Sequence, residues 1–391
     1  MVAVLIVFAS RSALACPFCT ALGPTLSTLR ERAAAVALVE VRSQTAERQT
    51  QVHVHRIVKG AELLTTSDIQ SIALDLAAKP GALVLVFGTR TSTESAELAW
   101  HAVAVDETSY AYFSRLPAAT LSAAERLSYF AARLEHASPL IAQDVYLEFG
   151  HASMEDVATA ITQVPMADVR RWMLDPKVPP ERKGFYGLAL GLATDPADRR
   201  ANAELLERLI VTPEDDFRAG FDGALGGYLM LQGESALGQI ESRFLANPRA
   251  ADGDVRHAQT ALRFYREYGR AIPPVRLAEV TRHLLARPEF AASAVIDLAR
   301  WQDWASLDQV LALYARWGYP QPATRRAVVG YLLSCPERPA ALALARLRQD
   351  DPRGVAEAEA ALARTSDLTR PLQSADELAA QFPLVTCLPD L

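Results

Sequence analysis

The sequence predicts an α+β multidomain chain: a small N-terminal β-barrel followed by an α-solenoid. Three observations carry that expectation. The chain has 391 residues, too many for one ordinary domain. Period-two alternation of apolar and polar residues is confined to roughly the first 115 positions. From Leu121 onward the apolar residues recur at three and four, and a proline-terminated helix end returns at near-regular intervals. Half of the residues are apolar and 22 % are charged, so the chain can bury large cores. Ala, Leu and Arg dominate the second half, and these residues lose little side-chain entropy in a helix.

The first element is an apolar run, Val2–Ser10, followed by Ala13-Leu14-Ala15. The run has the length of a signal-peptide apolar region, and the triplet has the small-x-small pattern of a cleavage site. Residues 1–15 are therefore expected to be a signal peptide and the protein to be exported, periplasmic or extracellular. No Lys or Arg precedes the run, which a signal normally has, and VAVLIVF would also suit a buried strand.

Cleavage there would leave Cys16 first, opening the stretch Cys16-Pro17-Phe18-Cys19. Lipidation wants a Leu-type residue three places before the cysteine, where Ala13 stands. Haem attachment wants His after the second cysteine, where Thr20 stands. A thioredoxin-like pair wants a preceding strand, and zinc wants a second CxxC; neither is present. In an oxidising compartment the four cysteines, Cys16, Cys19, Cys335 and Cys387, are disulfide candidates, with all three pairings open. A thiol–disulfide redox role for Cys16 and Cys19 is the alternative.

Residues 16–116 read as the β domain. The expected strands are 33–42, 50–60, 82–90, 98–105 and 109–113, parted by Lys59-Gly60, Lys79-Pro80-Gly81 and the polar Thr91–Ser95. Five short strands in about 80 residues suit a small barrel or sandwich. A cysteine near the mature N-terminus, a strand like Val36–Val41 and a following strand ending in the IVKGAE turn (57–62) resemble the netrin-like OB barrel of tissue inhibitors of metalloproteinases. Those inhibitors begin Cys-x-Cys, where this chain has Cys-x-x-Cys. The resemblance would imply a free Cys16 amino group able to clamp a protease zinc.

Residues 117–365 read as helical repeats, with 366–391 a proline-containing tail that returns Cys387 to some surface. An apolar-x-x-Pro helix end recurs at Pro176, Pro213, Pro248, Pro288 and Pro336, with spacings of 37, 35, 40 and 48 residues. Proline disfavours the α conformation in the residue before it, so each ends a helix. A second apolar helix is expected in each unit, at 184–193, 219–232, 260–269, 293–301 and 345–349. Gly187, Gly191, Gly223, Gly226 and Gly227 would permit close helix approach. Units of this length resemble HEAT-like α-solenoids. The order of signal, CPFC, β region and helical repeats also resembles a group of secreted bacterial proteins with no assigned activity.

His53 and His55 are the metal candidates, with His101 as a third. Residues i and i+2 of a strand share a face about 6.6–6.8 Å apart, so the pair either offers two imidazoles to zinc or lines the wet face beside Val52, Val54 and Ile57. Trp301, Trp304, Tyr314 and Trp317 form the densest aromatic cluster and are candidates for a binding surface, with core packing as the ordinary alternative. Asp215 and Asp216 follow Thr212 and suit a helix first turn better than an active site. The pairs Arg170-Arg171, Arg199-Arg200 and Arg325-Arg326 read as solvated surface.

No G-x-S-x-G, H-E-x-x-H, P-loop or helix-opening G-x-G-x-x-G occurs. No catalytic residue and no cofactor is expected. The net charge of −6 argues against nucleic acid as a partner. The absence of an apolar run of about 18 residues argues against a spanning helix. The expectation is an exported non-enzymatic binding or scaffold protein whose helical-repeat surface engages another protein or a cell-envelope component.

Overall fold

The computed structural model describes residues 23–64, 69–92, 97–212 and 218–368. The expected signal peptide, Cys16, Cys19, Asp215, Asp216, Cys387 and the tail from residue 369 lie outside them. The chain divides into two compact units, in sequence between Gly233 and Glu234.

The first described element is helix α1, Leu26–Arg32, whose N-cap Thr25 accepts the Thr28 amide. Five strands belong to one antiparallel sheet: β1 Ala35–Gln44, β2 Gln49–Lys59, β3 Ile69–Ala73, β4 Leu83–Arg90 and β5 Leu98–Ala104, in the order β3-β2-β1-β4-β5. Three register shifts interrupt the β1–β2 pairing, near Val36, Leu38 and Val41. Such bulges add local twist, and the sheet curls until β3 approaches β5. At that seam Asp75 accepts the Ala102 amide at 2.8 Å and meets His101 Nδ1 at 2.5 Å.

Alternation then sorts the side chains. Ala37, Val39, Val41, Val52, Val54, Val84 and Val86 fill the inside of the curl. Val36 and Phe87, paired across β1 and β4, lie on the other face, where Phe87 meets Phe113 edge-on at 5.8 Å.

Four expected strands are present, and the fifth is corrected. Residues 109–113 belong to helix α2, Glu107–Ser114. Asp106 and Ser109 form a reciprocal capping box, and Ser109, Tyr112 and Phe113 then share one buried face at i, i+3 and i+4. The sheet's remaining strand is β3, five residues with one strongly apolar pair.

Helices α3 Ala123–Ala131, α4 Pro139–His151, α5 Met154–Ile161, α6 Met166–Leu174, α7 Pro180–Gly191, α8 Pro196–Val211 and α9 Phe221–Gln232 complete the first unit. The pairs α6/α7 and α8/α9 each pack together, and α7 lies against α9. That last contact is glycine-lined. A β-carbon on Gly223 would overlap the Gly184 carbonyl, and one on Gly227 would overlap that of Gly187. The end of α6 is closed by Lys183, whose ammonium donates to the carbonyls of Trp172, Met173 and Asp175 at 2.9, 2.8 and 2.6 Å. Burial lowers its pKa.

The second unit holds α10 Glu234–Ile240, which runs into a π turn at Glu241–Leu245. It continues with α11 Asp252–Tyr268, α12 Pro274–Thr281 with a 3-10 turn at Arg282–Ala286, α13 Pro288–Arg300, α14 Leu307–Arg316, α15 Pro322–Ser334, α16 Arg338–Asp350 and α17 Pro352–Leu368. Here α13, α15 and α17 form a row, with α14 and α16 packed behind.

The proline series needs one correction. Pro176 and Pro248 follow the first helix of a pair, and Pro288 both follows one and opens α13. Pro336 instead follows α15, the second helix of its pair. The unit continues through Pro320 and Pro352, after α14 and α16. The segment 345–349 is accordingly part of the first helix, α16, of the last pair. Proline can close one helix and supply the pre-set φ for the next, so its position within a pair cannot be read from helix ends alone.

Candidate functional site

The row α13–α15–α17 carries an apolar groove of about 450 Å³. Its origin is a run of small residues on one face of α15: Ala323, Ala327, Gly330 and Ser334 recur at i, i+4, i+7 and i+11. With no bulk there, the flanking helices leave a valley walled by Ile296 of α13 and Leu362 of α17. Ile296 is 41 % exposed. Gly330 is open enough that a β-carbon would meet only the Leu362 methyls, at 3.5 and 3.6 Å. Arg300 and Arg326 also line the groove and are exposed. Neither makes an ion pair among the described residues, so the valley is apolar in its walls and cationic at two points.

A polar cluster of a different kind lies in the first unit. Asp144 of α4 is buried, accepting the Leu26 amide at 2.7 Å and the Tyr112 hydroxyl at 2.6 Å. Burial pushes its carboxyl up to about 6, and the burial and the neighbouring carboxylate raise Tyr112 far above its ordinary value. One turn on, Glu148 is buried and bonded to Arg126 at 3.2 Å. Each Asp144 oxygen is held by a donor from another helix, which makes this cluster an anchor for α1 and α2 on α4.

The predicted site residues fall as follows. His53 and His55 sit together on the exposed part of β2, ring centroids 5.1 Å apart. Glu40, opposite His53 on β1, accepts from His55 at 2.9 Å and from Arg42 at 2.7 Å. The His55 bond, then Arg42, hold the Glu40 carboxyl below its usual range. His101 is on β5, with β1 and β4 between it and β2 in the sheet order, and is engaged by Asp75. Among the described residues no group of three His, Cys, Asp or Glu side chains is placed to hold a metal. What the sequence missed is Glu40, the hydrogen-bond partner of His55, because it lies on the neighbouring strand.

The aromatic cluster is dispersed. Tyr314 is buried and donates to Asp351 at 2.8 Å. Trp304 meets Tyr331 edge-on at 5.2 Å, and Trp317 lies under the Arg316 guanidinium at 4.4 Å. Trp301 caps the end of α13, half-buried. Trp304, Tyr314 and Trp317 each have a separate neighbour, and no ring contact joins the four among the described residues. Cys335, at the end of α15, is buried and makes no disulfide among the described residues.

No protein-family model matches the chain. No curated protein matches it either. Among solved structures, human deoxyhypusine hydroxylase in complex with glycerol is similar over 64 % of this chain and 92 % of that one, at 17 % identity and a TM-score of 0.27.

The groove residues were not singled out in the sequence. The small-residue stripe of α15 was legible there, but its emptiness depends on which helices flank it. Among the described residues no helix is long and apolar enough to cross a membrane.

Proposed function

We propose that the protein is an exported, non-catalytic binding protein that holds an apolar, acid-flanked segment of another protein in the α13–α15–α17 groove. The observation that supports this reading is the combination of an apolar valley with two exposed guanidiniums, Arg300 and Arg326, that make no ion pair among the described residues. Burying an aliphatic or aromatic side chain in such a valley contributes about 1.5–3 kcal/mol. Carboxylates on either side of it would meet the arginines in charge-assisted hydrogen bonds. A volume of about 450 Å³ suits two such anchors rather than an extended chain. Stacked helix pairs commonly present binding surfaces of this kind, although the fold alone assigns no partner.

The test is fluorescence anisotropy with two peptides, Leu and Phe anchors flanked either by Asp and Glu or by Lys. The acidic peptide is expected to bind at least tenfold more tightly, and Gly330→Leu or Arg326→Glu to abolish its binding. Equal binding of both peptides would sink the reading. Two other occupants give their own outcomes, each against a foreign partner. Binding only after truncation at Leu368 would place the chain's own tail in the groove. A dimer in light scattering that Gly330→Leu dissolves would place a second copy there.

A further inference from the structure

A second concavity, of about 430 Å³, lies in the first unit where α2, the end of α3 and the start of α4 meet. Its polar groups are nearly all donors. Arg115, the C-cap residue of α2, is exposed and makes no side-chain hydrogen bond or ion pair among the described residues. Arg133 lies over the Tyr129 ring, 3.7 Å from its centroid, and spends one nitrogen on the Tyr129 carbonyl at 2.5 Å. It also reaches the Tyr129 hydroxyl, and a guanidinium with five N–H groups keeps donors beyond these two. His136 Nδ1 accepts the Ser138 amide at 3.0 Å. That bond fixes the tautomer, so Nε2 carries the proton and donates. Against two guanidiniums and this N–H stands one carboxylate, the exposed Glu107.

The apolar walls are as well defined. Tyr129 stacks on Tyr112 with centroids 6.0 Å apart and rings 26° from parallel, and Tyr112 is itself held by Asp144 at 2.6 Å. Ile141 closes another side. The layering Arg133–Tyr129–Tyr112 therefore rests on a buried anchor, which keeps the cationic face in place without a ligand. In a chain of net charge −6, such a local excess of donors selects for an anion.

We propose that this cleft binds a small organic oxyanion, a phosphomonoester or carboxylate carried on a flat apolar body. Its charged group is held by Arg115 and Arg133, and its body lies against Tyr129 and Ile141. Guanidiniums suit both oxyanions because their N–H forks match two oxygens at once. The site is separate from the apolar groove, and neither reading depends on the other.

Isothermal titration of the full chain with phenyl phosphate and with benzoate tests this, with inorganic phosphate for comparison. One saturable site is expected for at least one aromatic anion, with inorganic phosphate at least tenfold weaker. Arg115→Ala, which removes no side-chain hydrogen bond or ion pair among the described residues, is expected to weaken binding tenfold or more with little change in the thermal melt. Arg133→Leu should weaken binding as much while also lowering the thermal melt, because it gives up the Tyr129 carbonyl and ring contacts; Arg56→Ala, an exposed arginine on β2, should leave binding unchanged. No saturable binding of either aromatic anion, or equal weakening by Arg56→Ala, would overturn the proposal. Inorganic phosphate binding as tightly as phenyl phosphate would overturn the assignment of the aromatic wall.

Discussion

The Tyr112 hydroxyl and the Asp144 carboxylate share a hydrogen bond of 2.6 Å that ties α2 to α4, while the other Asp144 oxygen holds the α1 backbone through Leu26. The Asp144 carboxyl titrates at about 6 in the fold against an ordinary 3.8. A raised carboxyl favours the folded state while it is protonated. That contribution is complete below about pH 4 and is lost as pH rises through about 6. Two pKa units correspond to about 3 kcal/mol. The stability of wild type relative to Asp144→Asn should therefore fall by about that amount between pH 4 and pH 7, measured by urea unfolding. A pH-independent difference would show that the carboxyl ionises normally. Asp144→Ala, which leaves the Leu26 amide and the Tyr112 hydroxyl without a partner, removes the same titrating carboxyl, so its cost should be about 3 kcal/mol larger at pH 4 than at pH 7.

Two glycines in second helices are predicted to respond in opposite ways. Gly223→Ala forces a methyl into the Gly184 carbonyl, and only separation of α7 from α9 relieves it. A loss of about 3 kcal/mol is expected, at the upper end of overpacking costs. Gly330→Ala meets only side-chain methyls at ordinary contact distance and gains helix propensity, so it should stabilise by up to about 1 kcal/mol. Thermal melts of the two single variants decide the point.

Asp75 closes the seam of the curled sheet through Ala102 and His101. Asp75→Ala should leave the Ala102 amide buried without its acceptor, at a cost of about 1–2 kcal/mol. Amide hydrogen exchange at Ala102 should accelerate while that at Val39, in the centre of the sheet, stays slow. Equal acceleration at both would mean that the sheet opens as one unit.

Four of the five strands were legible because each shows one apolar face over seven or more residues. β3 was not, because Ile69–Ala73 is short and gains its place only by pairing with β2. Residues 109–113 misled for the opposite reason: Tyr and Phe favour strands, but the Asp106 cap and the burial of Tyr112 and Phe113 on one helical face outweigh that preference. At the candidate sites, proximity across elements decided everything. Glu40 beside His55, and Arg115 beside Arg133, are neighbours that no spacing along the chain announces.

Asp297 offers an asymmetry. It is almost wholly buried, accepts from Gln259 and Arg263, and has its carboxyl raised by burial despite the Arg263 charge. Arg263 keeps 42 % of its side chain exposed, so it can rehydrate if its partner is lost. Removing the arginine instead leaves a buried carboxylate with only the Gln259 hydrogen bond and the Arg300 charge to offset its burial. Arg263→Ala should thus destabilise more, by about 3 kcal/mol against about 2 for Asp297→Ala, in urea titrations at pH 7. A larger loss for Asp297→Ala would reverse the assignment of which charge depends on the other.

The chain contains four lysines, and Lys183 is the one whose ammonium is fully engaged by the last carbonyls of α6. An acylating reagent would modify exposed Lys79 and Lys177 quickly and find this amine occupied on all three protons. Once the end of α6 frays, the burial that lowers its pKa is lost and the amine reacts as an ordinary exposed lysine. Lys183 is in effect a built-in chemical stopwatch for the opening of a single helix pair, readable by mass against its two exposed companions without any label being introduced.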